Sequence, residues 1–186
     1  MRLFVSVDLP PELTDPLADL QAEFGDAAGV RLTDPSQAHV TLKFLGETDP
    51  GRVDEIEQAI QRAVDESGVE PFECTIKGLG VFPALDYISV VWAGVRKDGG
   101  AEALTQLQDA VETELTALGF DDESHEFTPH VTLGRMDDAR GKSLVQKAVQ
   151  ECDSTVGSFQ VETVRLTEST LTDEGPAYET VSEVDL

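Results

Sequence analysis

His39-Val40-Thr41-Leu42 and His130-Val131-Thr132-Leu133 are the same tetrapeptide met twice in one chain. Each copy stands in a β-branched, alternating stretch, Ala38 to Leu45 and Phe127 to Leu133, and alternation with a period of two predicts strands. On a strand, residues i and i+2 share a face. His39 and Thr41 are therefore expected to point one way, with Val40, Leu42 and Phe44 pointing the other. The second copy divides likewise, His130 and Thr132 against Val131 and Leu133. Each strand sets an imidazole beside a hydroxyl.

Outward from these strands the order of elements repeats. An apolar strand (Leu3 to Val7) and a helix (Glu12 to Phe24, with Leu13, Leu17, Leu20 and Phe24 at helical spacing) precede the first copy. A strand (Tyr87 to Val95), a Gly99-Gly100 break and a helix (Ala101 to Leu118) precede the second. The helices echo each other, Leu17-Ala18-Asp19-Leu20-Gln21 against Leu104-Thr105-Gln106-Leu107-Gln108. After each histidine strand come a helix (Arg52 to Glu66; Gly141 to Gln150) and a closing strand (Phe72 to Ile76; Phe159 to Leu166). The pattern predicts one α+β domain over residues 1–186, built by duplication with approximate halves 1–84 and 85–186. Its expected shape is bilobal, two α/β lobes with antiparallel-rich sheets related by a pseudo-twofold axis around a central cleft.

Composition narrows the function classes. With 40% hydrophobic and 27% charged residues the chain has a globular balance, and no run approaches the roughly 18 apolar residues of a membrane span. Met1-Arg2-Leu3-Phe4-Val5-Ser6-Val7-Asp8 has no signal-peptide character, so a cytoplasmic protein without membrane partners is expected. Cys74 and Cys152 are far from each other and from any histidine, which suits buried thiols and not a disulfide or a metal site. No metal and no cofactor is expected. The net charge of −24, from 37 acids against 13 bases, is spread along the chain. It reads as a solvated surface or, more specifically, as halophilic adaptation to high intracellular salt. Such a charge argues against a large basic nucleic-acid footprint and leaves room for a small site gripping one phosphate.

Two imidazoles and two hydroxyls about one point suit metal-free transfer at phosphorus. One neutral histidine takes a proton from the attacking water, one imidazolium gives a proton to the leaving oxygen, and the hydroxyls hold the non-bridging oxygens. A pKa near 6.5 lets both protonation states exist at neutral pH. His125 lies in an acidic loop, Asp121 to Glu126, and is expected to be exposed.

Further stretches join the two motifs: Arg2-Leu3-Phe4-Val5, Lys43-Phe44-Leu45-Gly46, Gly78-Leu79-Gly80-Val81-Phe82-Pro83, Val91-Trp92-Ala93-Gly94-Val95, Gly134-Arg135 and Gly175-Pro176-Ala177-Tyr178-Glu179. With them the whole chain resembles the RNA 2′,3′-cyclic phosphodiesterases, also called 2′-5′ RNA ligases, of the two-histidine phosphoesterase superfamily. The resemblance implies hydrolysis of RNA 2′,3′-cyclic phosphate ends, tRNA fragments among the substrates, to 2′-phosphomonoesters by a monomeric enzyme. It implies His39 as proton donor, His130 as proton acceptor, and Thr41 and Thr132 as phosphate-binding residues. Joining of cyclic-phosphate and 5′-hydroxyl ends, or binding of RNA ends without turnover, stand as alternatives.

The flanking residues carry two readings each. Lys43 adds positive potential to the cleft or sits at a solvated strand end. Arg135 contacts phosphate or RNA backbone, or pairs with a nearby acid. Phe82 stacks on a base or anchors a buried loop. Trp92 is expected in the core, Gly78-Leu79-Gly80 is too short for a phosphate loop, and Tyr178, in the C-terminal strand region, has no assigned chemistry.

Overall fold

The computed structural model describes all 186 residues. In chain order the elements are β1 (Arg2–Asp8), α1 (Thr14–Ala22), β2 (Val30–Leu32), β3 (His39–Glu47), α2 (Val53–Ser67), β4 (Phe72–Ala84), β5 (Tyr87–Val95), α3 (Glu102–Ala117), β6 (His130–Met136), α4 (Lys142–Glu151), β7 (Thr155–Val161), β8 (Thr163–Thr172) and β9 (Gly175–Asp185). The expected helices and strands are present, the C-terminal strand region around Tyr178 among them as β9, with one more strand, β2. The closing stretch of the second half is two strands, because the chain breaks at Glu162: β7 pairs with β4 and β8 pairs with β1. No helix is long and apolar enough to cross a membrane.

The expected α+β arrangement of two lobes with antiparallel strands is present, and the strands of the two lobes join in one continuous curled sheet. Its order is β7-β4-β5-β6-β3-β1-β8-β9, with β2 beside β6, and every pairing is antiparallel. The lobes are joined at one residue pair, Val40 on β3 opposite Val131 on β6. About that seam the order is pseudo-symmetric, β1 and β5 flanking it and β8-β9 and β4-β7 lying outside. Elements are exchanged between the halves: β4 lies with β5, while β8 and β9 lie with β1. Helices follow suit, α3 packing with α2 over β3, α1 lying against β6 and β7, and α4 against β4. Each spatial lobe thus draws on both sides of residue 84.

The helices cover the face that carries the valines. Ile56, Ala59, Ile60 and Ala63 of α2 and Leu104, Leu107, Val111 and Leu115 of α3 are fully buried with Val5, Val40, Val131, Val91 and Val164. Each large side chain of that stripe contributes about 1.5–3 kcal/mol by leaving water. Gly68 closes α2 in the left-handed conformation, φ +65°, where a side chain would be strained. Gln21, at the echoed position of α1, is buried and donates to the carbonyls of Thr33 and Leu133; its counterpart Gln108 is buried on α3. Cys74 is fully buried, which pushes its thiol up to about 12, and Cys152 is half-buried.

Both histidine strands depart from regular alternation at the same place. Ser6 and Val5 face Thr41 and Lys43, and Trp92 and Val91 face Thr132 and Gly134, so Leu42 and Leu133 are each an extra residue in a β-bulge. The bulge turns the next residue inward. Lys43 and Gly134 are buried directly after buried Leu42 and Leu133, and Phe44 and Arg135 emerge on the histidine face. Phe44 is therefore not a core-facing residue: it is 63% exposed.

Lys43 is the larger correction. Its side chain is fully buried, and Nζ donates to Glu112 Oε2 at 2.8 Å and to the Asp121 carbonyl at 2.7 Å. Neither expected placement, in the cleft or at a solvated end, is found. The pair ties β3 to α3 and to the acidic loop, where Glu112 Oε1 also accepts from the Glu123 amide. Burial pushes the Glu112 carboxyl up, but hydrogen bonds from Lys43 and Glu123 and the lysine charge outweigh it and hold the group below its usual range. Stability from this pair is thus present above the ordinary carboxylate pKa and is lost as pH falls through the depressed one. Lys43→Met should cost about 3 kcal/mol in urea melts at pH 7, since one ion of a buried pair is left unpaired. The difference from the parent should shrink as Glu112 protonates. A variant as stable as the parent at pH 7 would contradict this role.

Candidate active site

Because β3 and β6 run antiparallel with Val40 opposite Val131, the same register sets His39 opposite Thr132 and Thr41 opposite His130. All four lie on the face that the helices leave open. In a regular ladder the two histidines would be diagonal neighbours roughly 7–8 Å apart, with their Cβ atoms somewhat closer. Side chains of all four are partly buried, and neither threonine hydroxyl has a hydrogen-bond partner within the protein.

The two imidazoles are held identically. Nδ1 of His39 meets the Gln37 carbonyl at 2.9 Å, and Nδ1 of His130 meets the Thr128 carbonyl at 2.7 Å. A carbonyl can only accept, so Nδ1 carries the hydrogen in each ring. Protons are then gained and lost at Nε2, which has no partner in the protein in either residue. Both imidazoles are pushed below their ordinary pKa, chiefly by burial. For His39 the Gln37 carbonyl and the charge of Asp8 oppose the shift. For His130 the Thr128 carbonyl opposes it, whereas His39 and Arg135 add to it.

Each imidazole is also wedged between aromatic rings. His39 lies 5.0 Å from both Phe4 and Tyr178, the latter edge-on at 85°. His130 lies 4.9 Å from Phe82, edge-on at 86°, and 5.8 Å from Trp92. Such contacts contribute about 0.5–1.5 kcal/mol each and restrict ring rotation. Trp92 is accordingly not a core residue: it is partly buried on the open face, packed against Phe82 at 5.0 Å with the rings tilted by 37°. Gly80 provides its seat, since a Cβ there would come within 2.2 Å of the indole. That is the role of the Gly78-Leu79-Gly80 stretch at its second glycine.

Of the residues expected at the site, the structure brings together His39, His130, Thr41, Thr132, Phe82 and Arg135, and leaves out Lys43. His125 is exposed in its loop. Tyr178, without assigned chemistry from sequence, borders His39 because Gln37 joins their strands: its carbonyl holds the imidazole and its Oε1 accepts from the Tyr178 amide at 3.1 Å. Phe4, Phe44 and Asp8 were missed as site residues. Leu3 to Val7 are all buried, Phe4 and Ser6 included, so β1 carries no alternation that would have singled out Phe4, and Asp8 is marked only as the first charge after that run. Six of the eight arginines form ion pairs with carboxylates; Arg2 and Arg135 do not, and both lie close enough to Tyr178 to act on its phenol. In so acidic a chain, two guanidiniums without carboxylate partners give this rim a local positive potential.

The sequence profile described as the 2′-5′ RNA ligase superfamily matches residues 9–173. The chain belongs to that family. An RNA 2′,3′-cyclic phosphodiesterase of Methanothermobacter thermautotrophicus is 36% identical over 180 residues, 96% of this chain and 95% of its own. One from Aeropyrum pernix is 42% identical over 147 residues, 78% of this chain and 80% of its own. Among solved structures, TT0787 of Thermus thermophilus superposes with a TM-score of 0.77 at 26% identity, over 100% of this chain and 98% of that one. E. coli LigT complexed with 3′-AMP also gives 0.77, at 23% identity over 100% and 97% of the chains, a likeness in fold.

Proposed function

We propose that the chain hydrolyses RNA 2′,3′-cyclic phosphate ends to 2′-phosphomonoesters with a 3′-hydroxyl. The observation that carries this reading is the pair of imidazoles with Nδ1 bonded to a carbonyl and Nε2 free, set around two unengaged threonine hydroxyls. The names of the relatives agree with it. In the proposed step, Nε2 of neutral His130 takes a proton from water as the water oxygen attacks phosphorus. The P–O3′ bond breaks opposite the attack, and the O3′ electron pair takes the proton from Nε2 of the His39 imidazolium. Thr41 and Thr132 donate to the non-bridging oxygens, which gain charge in the transition state. The products leave His130 protonated and His39 neutral, and exchange with solvent resets both.

Arg135 and Arg2 supply the remaining positive potential, and Phe82 and Phe44 offer ring faces for a terminal base. Every one of these groups comes from one chain, so a monomer suffices. Ends of tRNA fragments fall within the proposed substrate class. A 5′-hydroxyl in place of water would give a 2′-5′ joint by the same proton transfers.

An oligonucleotide with a 2′,3′-cyclic phosphate end, followed by phosphorus NMR, tests the reading. The expected product is the 2′-phosphate, formed at full rate after exhaustive chelation, because no three His, Cys, Asp or Glu side chains gather as metal ligands. His39→Ala or His130→Ala should each lower kcat by roughly 10²- to 10⁴-fold, and the double variant by far less than the product of the two. A 3′-phosphate product, or a His39→Ala enzyme with normal turnover, would overturn the mechanism.

The acidic surface is proposed to be a salt adaptation. Its support is the charge of −24 spread over a fold whose arginines are mostly ion-paired. At molar salt the Debye length is about 3 Å, which screens carboxylate repulsion. Melting temperature should therefore rise with KCl up to molar concentration; a flat or falling curve would refute the adaptation.

A further inference from the structure

The two histidine strands carry one motif, share one bulge and hold their imidazoles by one hydrogen bond, yet the proposed reaction needs an acid from one and a base from the other. The inequivalence must come from what surrounds them. Around the pseudo-twofold axis β1 corresponds to β5, and on each the residue paired with the histidine can be read from the register. Asp8 is paired with His39, whereas Gly94 is paired with His130. A side chain at Gly94 is barred, since a Cβ would stand 2.9 Å from the Lys77 carbonyl of β4. No acid can occupy that place without moving a strand.

A second difference lies five residues beyond each histidine, where the bulge delivers a side chain to the open face. The first copy presents Phe44, the second Arg135. His39 therefore has an anion beside it and an aromatic ring beyond, and His130 has no anion beside it and a cation beyond.

Asp8 does not act alone. Its Oδ2 accepts from Arg165 Nη1 at 2.6 Å, its Oδ1 accepts from Ser6 Oγ at 3.1 Å, and Arg165 pairs in turn with Glu183 at 2.8 Å. Two carboxylates and one guanidinium leave this network one negative charge, with Asp8 its member nearest His39. The other titratable groups facing His39 are His130 across the seam and Tyr178 of β9. Those facing His130 are His39 and Arg135, because β4 and β5 present only Phe82, Trp92 and Gly94 to it.

We infer that Asp8 and Arg135 are positioning residues that assign opposite roles to the two copies of the motif, Asp8 keeping His39 the proton donor and Arg135 keeping His130 the proton acceptor. The inference rests on the proposed two-histidine chemistry. It gives a structural reason for a direction of proton transfer that the symmetric motif leaves open. The opposing effects of Asp8 on His39 and of Arg135 on His130 have the required signs.

The test combines nitrogen NMR of the imidazoles in the resting enzyme with the pH profile of kcat/KM, for the parent, Asp8→Asn and Arg135→Gln. Asp8→Asn should lower the midpoint of His39 by roughly one unit and draw the alkaline limb of the profile down with it. On the alkaline side the rate then falls about 10-fold relative to the parent. Arg135→Gln, at an exposed side chain without an ion pair, should raise the midpoint of His130 and move the acidic limb up. The bell narrows from opposite sides in the two variants. Unmoved imidazole midpoints would overturn the inference whatever the activity. Midpoints that shift as expected while the limbs stay fixed would confirm the local fields and sink the acid–base assignment instead.

Discussion

One backbone pairing, Val40 against Val131, sets the relation between the two halves of this protein. It joins two curled half-sheets into one and directs both valines into the core beneath. By the alternation of strands it lifts His39, Thr41, His130 and Thr132 to the opposite face as a group. Were the register shifted by one residue, every one of these side chains would change face. The site is thus a property of the seam and not of either lobe.

Strand exchange makes the seam more than a point of contact. β4 lies beside β5, β8 beside β1, and α1 and α3 each cover strands beyond their own half, so neither half has a core of its own. The bulges at Leu42 and Leu133 add a second use of symmetry. One lobe uses the inward position for a lysine that anchors the acidic loop, and the other fills it with glycine. One uses the outward position for a phenylalanine, and the other for an arginine. The two copies of the motif thus stand in unlike surroundings.

Much of this was legible in the sequence where the determinant is local. Repeated HVTL tetrapeptides identify the chemistry, period-two alternation identifies the faces up to the threonine, and the apolar stripes of α2 and α3 lie where helical spacing puts them. Legibility ends where partners are distant. The face of Lys43 depends on a bulge set by pairing with β1. The break at Glu162 depends on two strands in different lobes. β9 is mostly exposed, with Val184 its one buried residue, as suits an edge strand, so its pattern does not say which of its side chains meets the site, and Tyr178 carries no chemistry assigned from sequence. Trp92 reads as core because it is large and apolar; its seat on Gly80 is visible only once β4 and β5 are paired.

The central claim is that one phosphate sits over the seam between two imidazoles. A crystal structure with a slowly hydrolysed 2′,3′-cyclic phosphorothioate nucleotide addresses it most directly. The account predicts phosphorus above the Val40–Val131 pair, with Nε2 of His39 and of His130 on opposite sides of it. Both threonine hydroxyls should be within hydrogen-bond reach of its non-bridging oxygens, with O3′ nearest His39. A phosphorus group bound to one histidine only, or lying away from the seam, would contradict it.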